Sequence, residues 1–395
     1  MSVEVILAAA VRTPIGRFNG ALTSLTAVEL GAHSARATLK RANLSADQVD
    51  QAILGHARQA GCGPNPARQV ALNAGLPVER PAFTINQACL SGMQAVMSAV
   101  RAVRLGEADV VLAGGMESMS RVPFLLDARW GFRMGHQQAT DAMYRDGFVD
   151  PICGQLMGET AETLARRYEI PREEQDSYAL RTQQRAGIAW RDGRFNGEVA
   201  PIEIESRKGS ITVSQDEHPR PDTTMEQLAK LKPVFDPENG TVTAGNSSGI
   251  TDGAATMLVC SAAAAERHGL EPLARWVGHR VDGVLPETMG IGPVPAVRNL
   301  LEAERVSLDD IDLIELNEAF AAQALAVDRE LGFDPERLNV NGGSIALGHP
   351  IGCSGARILV TLLHEMKRRE VRRGLATLCV SGGMGGAMLV ERPAS

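Results

Sequence analysis

The chain has 395 residues, 44% apolar and 22% charged, which is enough to bury a large core in two or three domains. A formal charge of −7 excludes general nucleic-acid binding while leaving room for a small basic pocket facing a phosphorylated ligand. The six cysteines, at 62, 89, 153, 260, 353 and 379, contain no C-x-x-C pair and follow no secretory segment, so a disulfide scaffold is excluded and a cytoplasmic location is expected, with no membrane span.

In chain order, residues 3–11 are a β-rich apolar run stopped by Arg12-Thr13-Pro14, and 27–40 carry helical spacing through Val28, Leu30, Ala35 and Leu39. A short helix is predicted at 45–49, a strand at 51–54 and a helix at 66–75. The run 84–95, T-I-N-Q-A-C-L-S-G-M-Q-A, passes from a short strand into a helix over 90–104, with Cys89 at the joint. Residues 109–113 read as a strand leading into Gly114-Gly115-Met116. This alternation predicts a layered α/β architecture with a predominantly parallel sheet.

Beyond residue 118 the texture changes to polar helices at 160–167 and 171–190 and a turn-rich stretch at 207–221. The stretch reads as an inserted surface lobe, of the kind that holds the carrier part of a substrate beside a cleft. A core strand is predicted at 254–260. Three internal matches then appear: 45–54 with 307–316, Ser91-Gly92 with Ser354-Gly355, and 110–116 with 377–384. They indicate a duplication, two similar α/β halves at 1–117 and 250–395 around a lobe at 118–249.

Cys89 stands at the start of a helix, where unpaired N–H groups and the helix dipole favour a thiolate; its plain alternative is a small core residue. Three polar stretches follow far downstream, each at the end of a predicted strand: 317–320 (N-E-A-F), 341–352 and the glycine-rich 378–386. His349 can take the thiol proton of Cys89 across the duplication. Cys379 suits either proton transfer at carbon or a metal site with a histidine and Glu318, but single distant residues lack the close ligand pairs of zinc sites. Asn317 fits a helix cap or a donor to a developing oxyanion. Glycines 382 to 386 lack both dinucleotide and P-loop fingerprints, so a nucleotide fold has little support.

Taken together, N-Q-A-C-L-S-G-M, N-E-A-F, G-H-P-I-G-C-S-G and C-V-S-G-G-M-G resemble the four active-site motifs of the thiolases, in that family's order and over essentially the whole chain. The resemblance implies a duplicated thiolase fold, α/β, with two layered halves and an inserted loop domain that binds coenzyme A. It implies reversible Claisen condensation and thiolytic cleavage of 3-ketoacyl-CoA by a homotetramer, with acetyl-CoA and CoA as partners and no resident metal or redox cofactor. At the matching positions Cys89 would be acylated, His349 would activate it, and Cys379 would be the acid and base at carbon. A water held by Asn317, with His349, would stabilise the enolate, while the backbone N–H groups of Cys89 and Ser381 cradle the tetrahedral intermediate. Coenzyme A contacts would fall to Met157, Arg220, Phe235, Ala244, Gly245, Ser248, Met289 and Phe320. Met157 and Met289 read equally as core filler, and Arg220 as a solvated charge.

Two positions depart from the family pattern: Ser381 where glycine is common, and Leu156 where acetoacetyl-type members carry histidine. Trp130 and Phe132 are candidates to reshape the acyl pocket. A ketosynthase-like condensing enzyme would place a histidine at 317 and lack the second cysteine, and a non-catalytic acyl-CoA scaffold would not keep all four groups.

Overall fold

Most strands of the main sheet bury apolar residues on both faces, and this decides the layering. In the computed structural model, which describes residues 3–206 and 209–393, the strands along it are β1 (Val5–Arg12), β2 (Gln51–Gly55), β3 (Ala82–Ile85), β4 (Val110–Ser118), β5 (Thr251–Ser261), β6 (Pro272–Gly283), β7 (Leu313–Leu316), β8 (Arg373–Val380) and β9 (Met384–Glu391), with a two-residue tenth strand, Gly16–Arg17, paired with β5. Their spatial order is β7-β8-β9-β6-β1-β5-β4-β2-β3. Along β1, Val5 and Leu7 enter one core while Ile6 and Ala8 enter another, and β4 divides Val111 and Ala113 from Val110 and Leu112 in the same way. Side chains alternate with a period of two, so both faces must be covered by helices.

The inner core is shared by two helices, Ser91–Leu105 and Ile351–Arg369, and by strands from both halves. Helices Ala27–Ala42 and Pro66–Asn73 cover the outside of the first half, and Pro293–Glu304 and Ala321–Leu331 that of the second. The layers are therefore helix, sheet, paired helices, sheet, helix. Where the two inner helices cross, Gly92 and Gly355 let their backbones touch. A Cβ on Gly92 would lie 2.8 Å from the Ala356 nitrogen, and one on Gly355 2.7 Å from the Met93 nitrogen. The match between Ser91-Gly92 and Ser354-Gly355 is thus a packing requirement met once by each half.

The duplication is visible in strand order, since β1-β5-β4-β2 is repeated as β6-β9-β8-β7, with β1 and β6 antiparallel neighbours at the centre. Three expectations need correction. The sheet is mixed rather than predominantly parallel: only β2/β3, β2/β4 and β7/β8 are parallel, because each half sends its last strand back antiparallel between its first strand and its predecessor. The second half does not begin at residue 250, because β5 pairs with β1 and β4 of the first half; its own sheet starts at β6. The third internal match is out of register. Gln51 pairs with Val111 and Leu313 with Gly374, which places Gly374 opposite Val111, whereas the sequence match aligns the Gly-Gly pairs at 114 and 382. Gly114 and Gly115 lie inside β4, but Gly382 and Gly383, with φ of 86° and 81°, make the turn between β8 and β9.

The lobe contains helices Met157–Arg167 and Arg172–Arg191, near their expected bounds. Of the turn-rich stretch expected at 207–221, residues 214–221 are bends and loop as expected, but Gly209–Val213 is a strand paired antiparallel with Ile202–Ser206, and 207 and 208 lie outside the described residues. The 341–352 stretch follows turns and an isolated bridge at Leu338 rather than a strand. Among the described residues no helix is long and apolar enough to cross a membrane.

Candidate active site

Cys89 is presented by a strained joint. Ala88 adopts φ of 46°, which costs a non-glycine residue energy, and the surrounding loop holds it there. Asn86 Oδ1 accepts from the Ala88 N–H at 3.1 Å, Ser91 Oγ accepts from the Gln87 N–H at 2.8 Å, and the Ser91 hydroxyl donates to the Ala88 carbonyl at 2.7 Å. Cys89 follows in a 3-10 turn, Ala88–Leu90, ahead of the inner helix.

From the other half, His349 stands two residues ahead of its own inner helix, with Nε2 3.4 Å from Cys89 Sγ. Its Nδ1 lies 2.5 Å from Ser354 Oγ, and Ser354 spends its own proton on the Pro350 carbonyl at 3.0 Å. The serine oxygen must therefore accept from Nδ1–H, which assigns the tautomer and leaves the Nε2 lone pair facing the thiol. Burial, aided by the charges of Arg357 and Arg58, pushes the imidazole down to about 3. It is a neutral base at physiological pH.

The thiol does not follow the sequence expectation. Burial pushes Cys89 above the ordinary thiol value, although Arg58 and the backbone N–H groups of Ser381 and Cys89 itself pull the other way. Desolvation of the charged form outweighs the helix end, so the resting pair is a neutral thiol against a neutral imidazole. Those two N–H groups remain directed at the sulfur, where the oxyanion of an attacked carbonyl would sit.

Cys379 lies near the end of β8 and is buried; burial first, and then the neighbouring Cys89, push its thiol up. All six cysteines are free. The turn after Cys379 is braced from the lobe: buried Asp150 accepts from the Gly382 N–H at 2.9 Å and from the Ile152 N–H at 2.8 Å. Asn317 is not a helix cap, since Phe320 occupies that place for helix 321–331. Its Oδ1 accepts from Ser344 Oγ at 2.6 Å, which itself accepts from Arg357 at 2.9 Å, and its buried Nδ2 has no protein partner. The unpartnered Nδ2 is a buried amide donor able to hold a water.

Cys89, His349, Cys379 and Ser381 share one cavity of about 260 Å³, lined also by Met157, Phe235, Ser248, Met289 and Phe320. Phe235 and Phe320 meet edge to face with centroids 6.1 Å apart. Ser248 N–H donates to the Ala319 carbonyl at 2.9 Å, fixing one wall. Asn317, Arg220, Ala244 and Gly245 do not line this cavity; Asn317 is fully buried behind it, whereas Arg220 is exposed and its backbone N–H donates to Gln183. Leu156 is on the wall, whereas Trp130 is 92% exposed and, like Phe132, lies away from it. Sequence reasoning missed Arg58, Glu117 and Asp150. Glu117 holds the turn after β2 to the helix of His349, accepting from the N–H groups of Ala57, Arg58 and Gly352 and pairing with His56 at 3.1 Å. Only its position inside β4, beside Gly114-Gly115, could have drawn attention to it. Among the described residues no cluster of three histidine, cysteine or acidic groups is placed to hold a metal ion.

Two family descriptions together match nearly the whole chain, "Thiolase, N-terminal domain" over residues 5–263 and "Thiolase, C-terminal domain" over 270–392. The chain is a member of the thiolase family. This thiolase is 52% identical over 389 residues to an acetyl-CoA acetyltransferase of Rhizobium meliloti (strain 1021), covering 98% of its own length and 99% of the relative's. It superposes on the crystal structure of the Bacillus anthracis acetyl-CoA acetyltransferase with a TM-score of 0.96 at 49% identity, covering 99% of each chain. Human mitochondrial 3-ketoacyl-CoA thiolase in complex with CoA matches this thiolase at a TM-score of 0.95 and 44% identity, over 99% and 98% of the two chains.

Proposed function

We propose that this thiolase cleaves 3-ketoacyl-CoA thioesters with coenzyme A and runs the reverse Claisen condensation of acetyl-CoA through an acyl-Cys89 intermediate. What supports the reading is the convergence of Cys89, His349 and Cys379, from both halves of the chain, on one cavity. In cleavage, His349 Nε2 takes the Cys89 proton as sulfur attacks the 3-keto carbon, and the N–H groups of Cys89 and Ser381 hold the resulting oxyanion. The C2–C3 bond then breaks, its electron pair leaving as the acetyl-CoA enolate. Cys379 gives its proton to that carbon, while His349 and a water on Asn317 Nδ2 hold the enolate oxygen. The thiol of a second coenzyme A, deprotonated by Cys379, takes the acyl group from Cys89. No electron is gained or lost overall, so the reaction calls for no redox cofactor.

The pantetheine arm would lie between Met157, Ser248, Met289 and the Phe235–Phe320 pair, with Ala244, Gly245 and Arg220 outside the cavity towards the nucleotide end. A homotetramer is supported by the exposed apolar residues Phe124, Leu126, Trp130 and Met134 of the lobe, and a reducing cytoplasm by the six free thiols. A decarboxylating condensing enzyme is not favoured. The test is coenzyme A-dependent thiolysis by the purified protein across a chain-length series, in which Cys89→Ala abolishes turnover. Cys379→Ala should still acylate Cys89 but fail at carbon–carbon bond chemistry; normal condensation in that variant removes Cys379 from its role.

A further inference from the structure

Acyl transfer leaves Arg58 without a task. It follows β2 in the turn that Glu117 pins, and its guanidinium lines the cavity beside Cys89 and His349. The residue is 8% exposed, and among the described residues its side chain makes no hydrogen bond and no ion pair, with Nε sealed from solvent and unpartnered. Glu117 is near enough for the Arg58 charge to help lower its carboxyl, but its oxygens are taken up by three backbone N–H groups and His56 rather than by the guanidinium. Arginine cannot shed its charge at physiological pH, and although Glu117 feels that charge, the guanidinium fork itself is left without a hydrogen-bonding acceptor.

The lobe is shaped around this group. Tyr144–Phe148 forms a π-helical turn against the cavity, and Gly147 lies flat on the guanidinium; a Cβ there would sit 2.6 Å from Nε and from Nη2. Two apolar clusters flank the chemistry. Cys379 packs with Met157, Phe235, Met289 and Phe320, while Cys89 packs with Met119, Phe148 and Ile351 on the side of Arg58. The first side suits the pantetheine arm, so the second receives the acyl group. A guanidinium fork on an otherwise apolar wall is matched by a carboxylate, which it binds through two parallel N–H···O bonds.

We infer that this thiolase takes 3-ketoacyl thioesters whose acyl chain ends in a carboxylate, held by Arg58. This rests on the acyl-transfer reading and names its substrate class. The competing role for Arg58 is purely local, a cation that eases formation of the Cys89 thiolate.

The test compares kcat/KM for thiolysis of 3-oxoadipyl-CoA and 3-oxohexanoyl-CoA, which share a carbon count and differ in a terminal carboxylate against a methyl. The unaltered enzyme should favour the first at least tenfold. Arg58→Met should invert that ratio, and Arg58→Lys should retain part of it. Gly147→Ala, which displaces the guanidinium without changing any charge, should erase the preference and serves if Arg58→Met fails to fold. Equal use of the two substrates by the unaltered enzyme, or an equal loss on both in Arg58→Met, overturns the inference. Turnover of acetoacetyl-CoA in the same preparation shows that the failure lies here alone; no turnover of any of the three thioesters overturns the acyl-transfer reading and this inference with it.

Discussion

Ser354→Ala isolates the part of the site that orients the base. Ser354 is fully buried, and its oxygen is the acceptor for His349 Nδ1–H. Removing it leaves that N–H without a partner and frees the ring to place its proton on Nε2, facing the thiol it should deprotonate. The bond matters most when the imidazole becomes charged during attack, and a hydrogen bond to a charged group contributes about 1.5–3 kcal/mol. At 1.36 kcal/mol per tenfold, acylation should slow by about 10- to 150-fold. Single-turnover acylation, followed by rapid quench and mass spectrometry of the Cys89 peptide, reads this step directly. Acylation within twofold of the unaltered enzyme would show that the serine does not set the tautomer, and the reasoning would fail.

Two further outcomes concern pH. Because burial raises the Cys89 thiol, iodoacetamide should alkylate it with a midpoint above the ordinary value of about 8.5, and a midpoint at or below 7 would restore the helix-end activation that the local sequence suggests. His349 is lowered in the folded state to about 3, so the unfolded chain binds its proton first and stability is lost as pH falls from about 6.5 towards 3. The slope from this one proton is up to about 1.4 kcal/mol per pH unit, so urea midpoints at pH 7 and 5 should converge in His349→Asn; unchanged spacing would refute it.

Much of the site is legible in the sequence because its groups sit in short motifs whose backbone is local: Cys89 at a strand–helix joint, His349 ahead of a helix, Cys379 near a strand end. Arg58 is not legible, since what makes it unusual is Gly147 from the lobe and an acid already spent on backbone N–H groups. The Gly-Gly-Met runs at 114 and 382 mislead for a related reason. The first continues into the lobe as an extended strand, whereas the second must reverse so that β9 can return, and the same letters take up different backbones. The parallel expectation fails likewise, because which neighbour a strand chooses depends on contacts remote in the chain.

The crossing at Gly92 and Gly355 has a mechanical consequence. Each glycine belongs to the helix whose leading end carries half of the proton-transfer couple, Cys89 on one and His349 on the other. The gap between sulfur and nitrogen is thereby gauged from a single fulcrum, and a methyl added at either glycine would lever the two apart without touching the reacting atoms.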